Sequence, residues 1–284
     1  MKFLILGSSG MAGHTIAMYL TEQGHDVIGF DRTKTGSCKV IIGDARDTAT
    51  LRQIIIDGKY DSIINCIGIL NQFAEKNKEL ATFLNSYIPH FLAHTTSDTN
   101  TQVIHMSTDC VFSGKRGKYT EHDFPDGETF YDRSKALGEL VDEKNITLRN
   151  SIIGADINPE GIGLFNWFMK QNGTIRGFTK AMWTGLSTLQ LAKAMEAAAK
   201  EKANGLYNMV YSEPISKYDL LKLFNRYIRN EKLEILPSDN LIVDKSLKRT
   251  NFNFGYLIPD YEVMISQMTD WILKHKNMYP HYNL

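Results

Sequence analysis

Short, almost wholly apolar runs alternate along the chain with longer stretches in which apolar positions recur every three or four residues. Residues 3–6 predict a buried strand and 11–23 a helix. The pattern repeats with a strand at 27–30, a helix at 48–57 and a strand at 62–67. A long helix falls between Asn77 and Ser97, followed by a strand at 102–106, a helix at 131–143 and a strand at 146–149. Strands with so few polar residues, separated by helices, belong to a parallel sheet covered on both faces. The predicted class is α/β, a doubly wound parallel Rossmann-type sheet.

Beyond Asn150 the rhythm loosens. Helices are predicted at 164–171, 188–200, 216–229 and 261–274, with a strand at 205–210. Ser216 followed by Asp219 is close to a capping box. Residues 1–150 are expected to form a dinucleotide-binding domain. Residues 151–284 are expected to form mostly a smaller C-terminal substrate-binding lobe, with a segment near 174–200 returning to the sheet.

The 284 residues carry 32 basic and 32 acidic side chains, so net charge is zero. With no single-sign block, the usual nucleic-acid footprint is excluded, and any bound anion must be held by a local site. Cys38, Cys66 and Cys110 are too few and too scattered for a disulfide framework or a zinc cluster. No metal is expected, and free thiols point to a reducing, cytoplasmic compartment. Residues 3–21 lack a full charge, but glycines and serines at 7–10 break the apolar run, so neither a signal segment nor a membrane span is predicted.

Gly7, Gly10 and Gly13 form G-x-x-G-x-x-G between the first strand and the first helix. Such a loop makes a tight turn, lets backbone approach a pyrophosphate, and presents helix amides to its charge. Asp31 ends the second strand, where a carboxylate can accept from adenosine ribose hydroxyls, and Arg32 beside it could pair with a 2′-phosphate. Asp31 argues for NADH and Arg32 admits NADPH. Asp44, after the apolar run 40–42, serves either as a turn residue or as a contact for the adenine amino group.

Tyr131 and Lys135 lie four apart at a predicted helix start, on one face. A cation there favours the phenolate and draws the phenol toward working pH. Ser107, Thr108 and Asp109 follow the fourth strand, at the carboxyl edge where doubly wound sheets bind ligands.

Residues 7–13, Asn65-Cys66-Ile67-Gly68, Ser107-Thr108-Asp109 with Val111-Phe112, and Tyr131-x-x-Ser134-Lys135-Ala136-Leu137-Gly138-Glu139 together resemble the extended short-chain dehydrogenases/reductases. Within them the chain is most similar to the dTDP-4-dehydrorhamnose reductase family, strongly to Arg149 and more loosely beyond. The resemblance implies catalysis by Thr108, which bonds the substrate carbonyl, Tyr131, which donates the proton, and Lys135, which holds the nicotinamide ribose. It implies NADPH or NADH bound by Gly7, Ser9, Gly10, Met11, Gly13, Asp31, Arg32, Asp44, Ala45, Cys66, Ile67, Gly68 and Lys135. The implied partner is a nucleotide-linked 4-keto-6-deoxyhexose, contacted by Thr108, Asp109, Cys110 and Tyr131, in a monomer or homodimer. The implied setting is surface polysaccharide biosynthesis.

Cys110 stands where the family usually has a tyrosine, and residues 177–188 also depart from the commonest members. The smaller Cys110 side chain leaves room beside the sugar, and residues 177–188 look more like those of reductases acting on UDP-linked N-acetylated 6-deoxy-4-ketosugars. Trp183, by base stacking or by core packing, and Arg176, by clamping a diphosphate or by standing in solvent, are further substrate-side candidates. Lys245, Lys248 and Arg249 read as a wet basic cluster. A 4,6-dehydratase is disfavoured because Cys110 follows Asp109 where an acid pair is needed. An epimerase and a non-catalytic dinucleotide-binding regulatory subunit remain as alternatives.

Overall fold

The computed structural model describes residues 1–34 and 36–284. The first half alternates β1 (Lys2–Leu6), α1 (Met11–Glu22), β2 (Asp26–Asp31), β3 (Lys39–Ile42), α2 (Thr48–Gly58) and β4 (Ser62–Asn65). Next come α3 (Asn71–Lys76), α4 (Lys78–Ala81), a π-helical segment (Thr82–Tyr87), α5 (Ile88–Thr95), β5 (Gln102–Met106), a 3₁₀ turn (Asp109–Val111), α6 (Phe130–Leu137) and β6 (Ile146–Arg149). The second half carries β7 (Ser151–Ile153), α7 (Leu164–Met169), β8 (Thr174–Phe178), β9 (Ala181–Trp183), β10 (Gly185–Ser187), α8 (Thr188–Glu201) and β11 (Gly205–Asn208). It closes with β12 (Ile215–Ser216), α9 (Lys217–Ile228), β13 (Glu234–Ser238), β14 (Val243–Asp244) and α10 (Tyr261–Lys274).

Seven parallel strands form the main sheet in the order β11-β6-β5-β4-β1-β2-β3, the doubly wound arrangement predicted. Its central strands are buried on both faces, as Phe3, Leu4, Ile5, Leu6, Ile63 and Ile64 show at 0% exposure. The order reverses between β1 and β4, so their carboxyl ends open a crevice between diverging loops. Among the described residues no helix is long and apolar enough to cross a membrane.

Several boundaries differ from the periodicity. The helix predicted at 131–143 ends at Leu137 with Gly138 as its C-cap, and only glycine fits there, since a Cβ would stand 1.9 Å from Asn85 O. The helix between Asn77 and Ser97 is interrupted by the π segment, and Pro89, two residues beyond it, lacks the amide that would bond Asn85 O. Residues 205–208 pair with β6 as the seventh sheet strand, although the sequence placed them in the lobe. Conversely residues 174–178 pair with β13, away from the main sheet, while α8 packs on α1.

Candidate active site

The glycine loop joins β1 to α1. Gly7 adopts φ +78° and donates its amide to Phe30 O at 2.9 Å. A Cβ on Gly13 would stand 2.0 Å from Gly7 O, so only glycine lets α1 begin this close to the strand. Gly10 caps α1 without a side-chain bond, which leaves first-turn amides facing the crevice for an anion. The Asp31 carboxylate accepts from Ser9 N at 2.8 Å and from Arg32 N at 2.7 Å, tying the loop to the end of β2. It retains lone pairs for a further donor. Met11 borders the start of α7, since a Cβ on Gly163 would lie 3.1 Å from its sulfur.

The chain leaving β4 runs against this loop. A Cβ on Gly7 would meet Ile67 at 3.2 Å and Cys66 O at 3.3 Å. Gly68 passes Asn85, whose Oδ1 would be 3.2 Å from a Cβ there. The Asp44 carboxylate, part-exposed after β3, accepts from Arg46 Nη2 and Nε at 2.6 and 3.0 Å and retains lone pairs for a further donor. Those bonds hold its carboxyl below the usual range. Ala45 is buried in the core beside Phe30. A cavity of about 780 Å³ opens between Arg46 and Thr48 on one side and Asn77, Phe83 and Tyr87 on the other. A second, of about 730 Å³, lies at the opposite sheet edge near Tyr60, Thr101 and Lys144, away from the carboxyl ends where open α/β sheets bind ligands.

Thr129 caps α6 in a full capping box with Asp132, which fixes the first turn bearing Tyr131. Tyr131 is 6% exposed and Lys135 4%. Lys135 Nζ donates to Met106 O at the end of β5, at 2.7 Å. Burial brings the ammonium down to about 8, against the pull of Glu139. The expected lowering of the Tyr131 phenol is not what this geometry produces. Burial pushes it up, the Cys110 thiol adds to that, and only a Thr108 hydrogen bond draws it back. Taking the phenol out of water outweighs its neighbours.

Thr108 caps the 3₁₀ turn, accepting from Cys110 N at 3.1 Å and donating to Asp109 Oδ1 at 3.1 Å. Behind it, Glu139 accepts from Ser107 Oγ at 2.7 Å and from Arg149 Nε and Nη2 at 2.7 and 2.6 Å. This ion pair is buried, and the Arg149 guanidinium stands 5.1 Å over the Phe112 ring.

Asn85, which sequence reasoning missed, joins three parts of the site. It is wholly buried in the π segment, donates to Ile69 O and Ser134 Oγ at 3.0 Å each, and accepts from Ile69 N at 2.8 Å. Ser134 lies between Tyr131 and Lys135, so Asn85 positions α6 against the loop after β4. The signal was Pro89 inside an apolar helical run.

The substrate-side candidates divide. Trp183 is 3% exposed and packs on Tyr261 at 5.7 Å between centroids, the core alternative, so no free face remains for a base. Arg176 is exposed on β8, without a hydrogen bond or ion pair among the described residues. Arg249 is not a wet residue. Its guanidinium bonds Asn251 O, Phe254 O and Tyr256 O and stacks near Tyr207.

A family model described as the RmlD substrate binding domain matches residues 1–252. The chain belongs to that family. This RmlD-family chain is 34% identical over 143 residues to a probable low-salt glycan biosynthesis reductase of Haloferax volcanii, covering 49% of the chain and 48% of that protein. It is 26% identical over 256 residues to a dTDP-4-dehydrorhamnose reductase of Aggregatibacter actinomycetemcomitans, covering 85% and 84%. Among solved structures, a dTDP-4-dehydrorhamnose reductase of Bacillus anthracis in complex with NADP superposes with TM-score 0.79 at 20% identity, over 95% of this chain and 99% of that one. A UDP-glucose 4-epimerase of Thermotoga maritima superposes with TM-score 0.78 at 16% identity, over 96% and 99%. Reductases and epimerases thus share this RmlD-family fold, and the overall backbone does not separate them.

Proposed function

We propose that this protein reduces the C4 ketone of a nucleotide-linked 4-keto-6-deoxyhexose with NADPH or NADH, in the cytoplasm, as a step toward cell-surface polysaccharide. The observation that carries the reading is the burial of Tyr131 and Lys135 on one face of α6, with Thr108 beside the phenol, at the carboxyl edge that the glycine loop also borders.

The residues present fit a dinucleotide. The space that a Cβ on Gly13 would fill, with the uncapped first turn of α1, suits a pyrophosphate. Asp31 and Arg32 would meet the adenosine ribose, and Lys135 the nicotinamide ribose. When bound, the nicotinamide supplies hydride to C4. Thr108 orients the ketone oxygen, and Tyr131 protonates that oxygen as negative charge develops on it. Burial keeps the phenol protonated and so able to donate. Lys135 stabilises the phenolate left behind, and Glu139 helps to keep its ammonium charged.

Cys110 in place of a tyrosine supports a sugar with a bulkier substituent, such as the 2-acetamido group of a UDP-linked hexose. The test follows nicotinamide absorbance with purified protein, NADH or NADPH, and either dTDP-4-dehydrorhamnose or a UDP-linked 2-acetamido-4-keto-6-deoxyhexose. Stoichiometric consumption supports a reductase, and the preferred sugar decides the acetamido question. Sugar interconversion without net consumption identifies an epimerase. Cofactor binding without turnover on either sugar refutes the catalytic reading in favour of a regulatory subunit.

A further inference from the structure

The chain beyond α10 doubles back along α1. Lys274 Nζ and His275 Nε2 donate to Glu22, at the end of α1, at 2.6 Å each. From there residues 276–282 run toward the start of α1, where the Tyr279 hydroxyl meets His14. Tyr282 stacks on Tyr279 at 5.9 Å between centroids and accepts from Asp156 N at 3.0 Å. His14 is 0% exposed and Tyr279 1%. Tyr279 lies beyond residue 252, where the family match ends.

The hydrogen bonds here allow one arrangement of protons. A carbonyl oxygen only accepts, so the 2.9 Å contact between His14 Nδ1 and Gly10 O requires the proton on Nδ1. Burial holds the ring below its ordinary pKa, which leaves it neutral near pH 7 with Nε2 bare. Tyr279 therefore donates its hydroxyl to Nε2, at 2.9 Å, and the imidazole keeps the tautomer that its partners set. Thr15 Oγ1 stands farther from that nitrogen, at 3.4 Å. Gly10 O receives a second bond from His14 N, at 3.0 Å, the first of α1. A peptide is planar and trans, so holding Gly10 O also holds the Met11 N–H on the other edge of the same plane. That amide opens the first turn of α1, which has no side-chain cap.

We infer that His14, set by Tyr279, is a positioning residue for the pyrophosphate of the dinucleotide. The inference rests on the dinucleotide reading above and deepens it. Being wholly buried, His14 acts through the Gly10–Met11 peptide, aiming the Met11 N–H at the crevice where helix amides meet phosphate. Its bond to Gly10 O also polarises that peptide and strengthens the N–H as a donor. Without the imidazole, Gly10 O keeps only the helix bond and the plane is free to tilt. The shape of the glycine loop is thus held by a tyrosine 265 positions further along the chain than the histidine it bonds.

The experiment titrates NADPH and ADP into the whole protein, comparing wild type with His14→Asn and His14→Leu, with urea unfolding alongside. Asparagine places its amide nitrogen where Nδ1 stood, so it still donates to Gly10 O, but it does not reach Tyr279. Leucine keeps the packing and loses the donor. Affinity and stability should therefore rank the two variants in opposite orders. His14→Leu should bind NADPH and ADP about three- to tenfold more weakly than wild type, the scale of one buried hydrogen bond. His14→Asn, the less stable of the two because its carbonyl is buried unpaired, should stay within about twofold. KM for NADPH should rise in His14→Leu while KM for the ketosugar holds. Nitrogen-15 spectra of wild type at pH 7.5 should show the His14 ring, assigned by its loss in His14→Asn, protonated at Nδ1 and bare at Nε2. In Tyr279→Phe the other tautomer should appear and NADPH binding should weaken in step, a comparison that stands even where His14→Leu does not fold. Equal weakening in both His14 variants, unchanged affinity in folded His14→Leu, or a wild-type ring protonated at Nε2 would overturn this inference while leaving the dinucleotide reading standing. Wild type that binds neither NADPH, NADH nor ADP would overturn both.

Discussion

Glu139→Gln should cost far more than an ordinary surface substitution, because the carboxylate is the counter-ion of a guanidinium with nowhere else to go. The side chains of Arg149 and Glu139 are 3% and 6% exposed, and two bonds of 2.7 and 2.6 Å join them. Arg149 Nη1 already lacks a partner. Glutamine preserves the shape and can still accept one bond, but it removes the charge. Removing one partner of a buried pair costs about 3–5 kcal/mol, since the other charge stays buried. Against a total stability of about 5–15 kcal/mol that is a large fraction. Replacing both residues by methionine removes both desolvation penalties, so Glu139→Met with Arg149→Met should cost less than Glu139→Gln alone. Urea denaturation of Glu139→Met, Arg149→Met and their double variant, treated as a double-mutant cycle, measures the coupling. A second readout is chemical. Glu139 is the largest group opposing the loss of charge at Lys135, so Glu139→Gln should move the alkaline limb of kcat/KM to lower pH. A cost below about 1 kcal/mol, or double-variant losses equal to the sum of the singles, would refute the buried-pair argument.

Tyr131→Phe should lower turnover by about 10²–10⁴-fold with cofactor affinity intact, the range for losing a positioned proton donor, and unchanged turnover would remove the mechanism. Gly13→Ala should abolish NADPH binding in a titration while the protein still folds, because the new Cβ would sit 2.0 Å from Gly7 O. Asp31→Ala should weaken NADH more than NADPH, since the carboxylate meets a free 2′-hydroxyl well and a 2′-phosphate badly, and equal losses would undo that role. Lys135, with its ammonium brought down to about 8, should make kcat/KM fall as pH rises through about 8, where the charge is lost. The stability effect has the opposite sign. The unfolded chain binds more protons between about 8 and about 10.4, so stability should rise with pH across that window, by at most about 3 kcal/mol, and Lys135→Met should flatten the rise.

Local patterning determined most of the sheet. Phe3 to Leu6, Ser62 to Asn65, Gln102 to Met106 and Ile146 to Arg149 are buried strands because runs this short and apolar have no other way to leave water. The glycine loop and the Tyr131–Lys135 pair were equally legible, since each is a spacing within one turn or one helix face. What the sequence by itself did not reveal is whatever depends on approach between distant segments. Position 138 must be glycine because Asn85 O lies against it, and Asn85 matters because Ile69 and Ser134 come to it from either side. The short strands of the second half carry too few residues for a period to show, so the pairing of β12 and β14 with β9 could not be read from their spacing. The height of the Tyr131 phenol was likewise a tertiary outcome. Spacing puts a cation within reach, but burial decides how much the charged form costs, and burial belongs to the packed molecule.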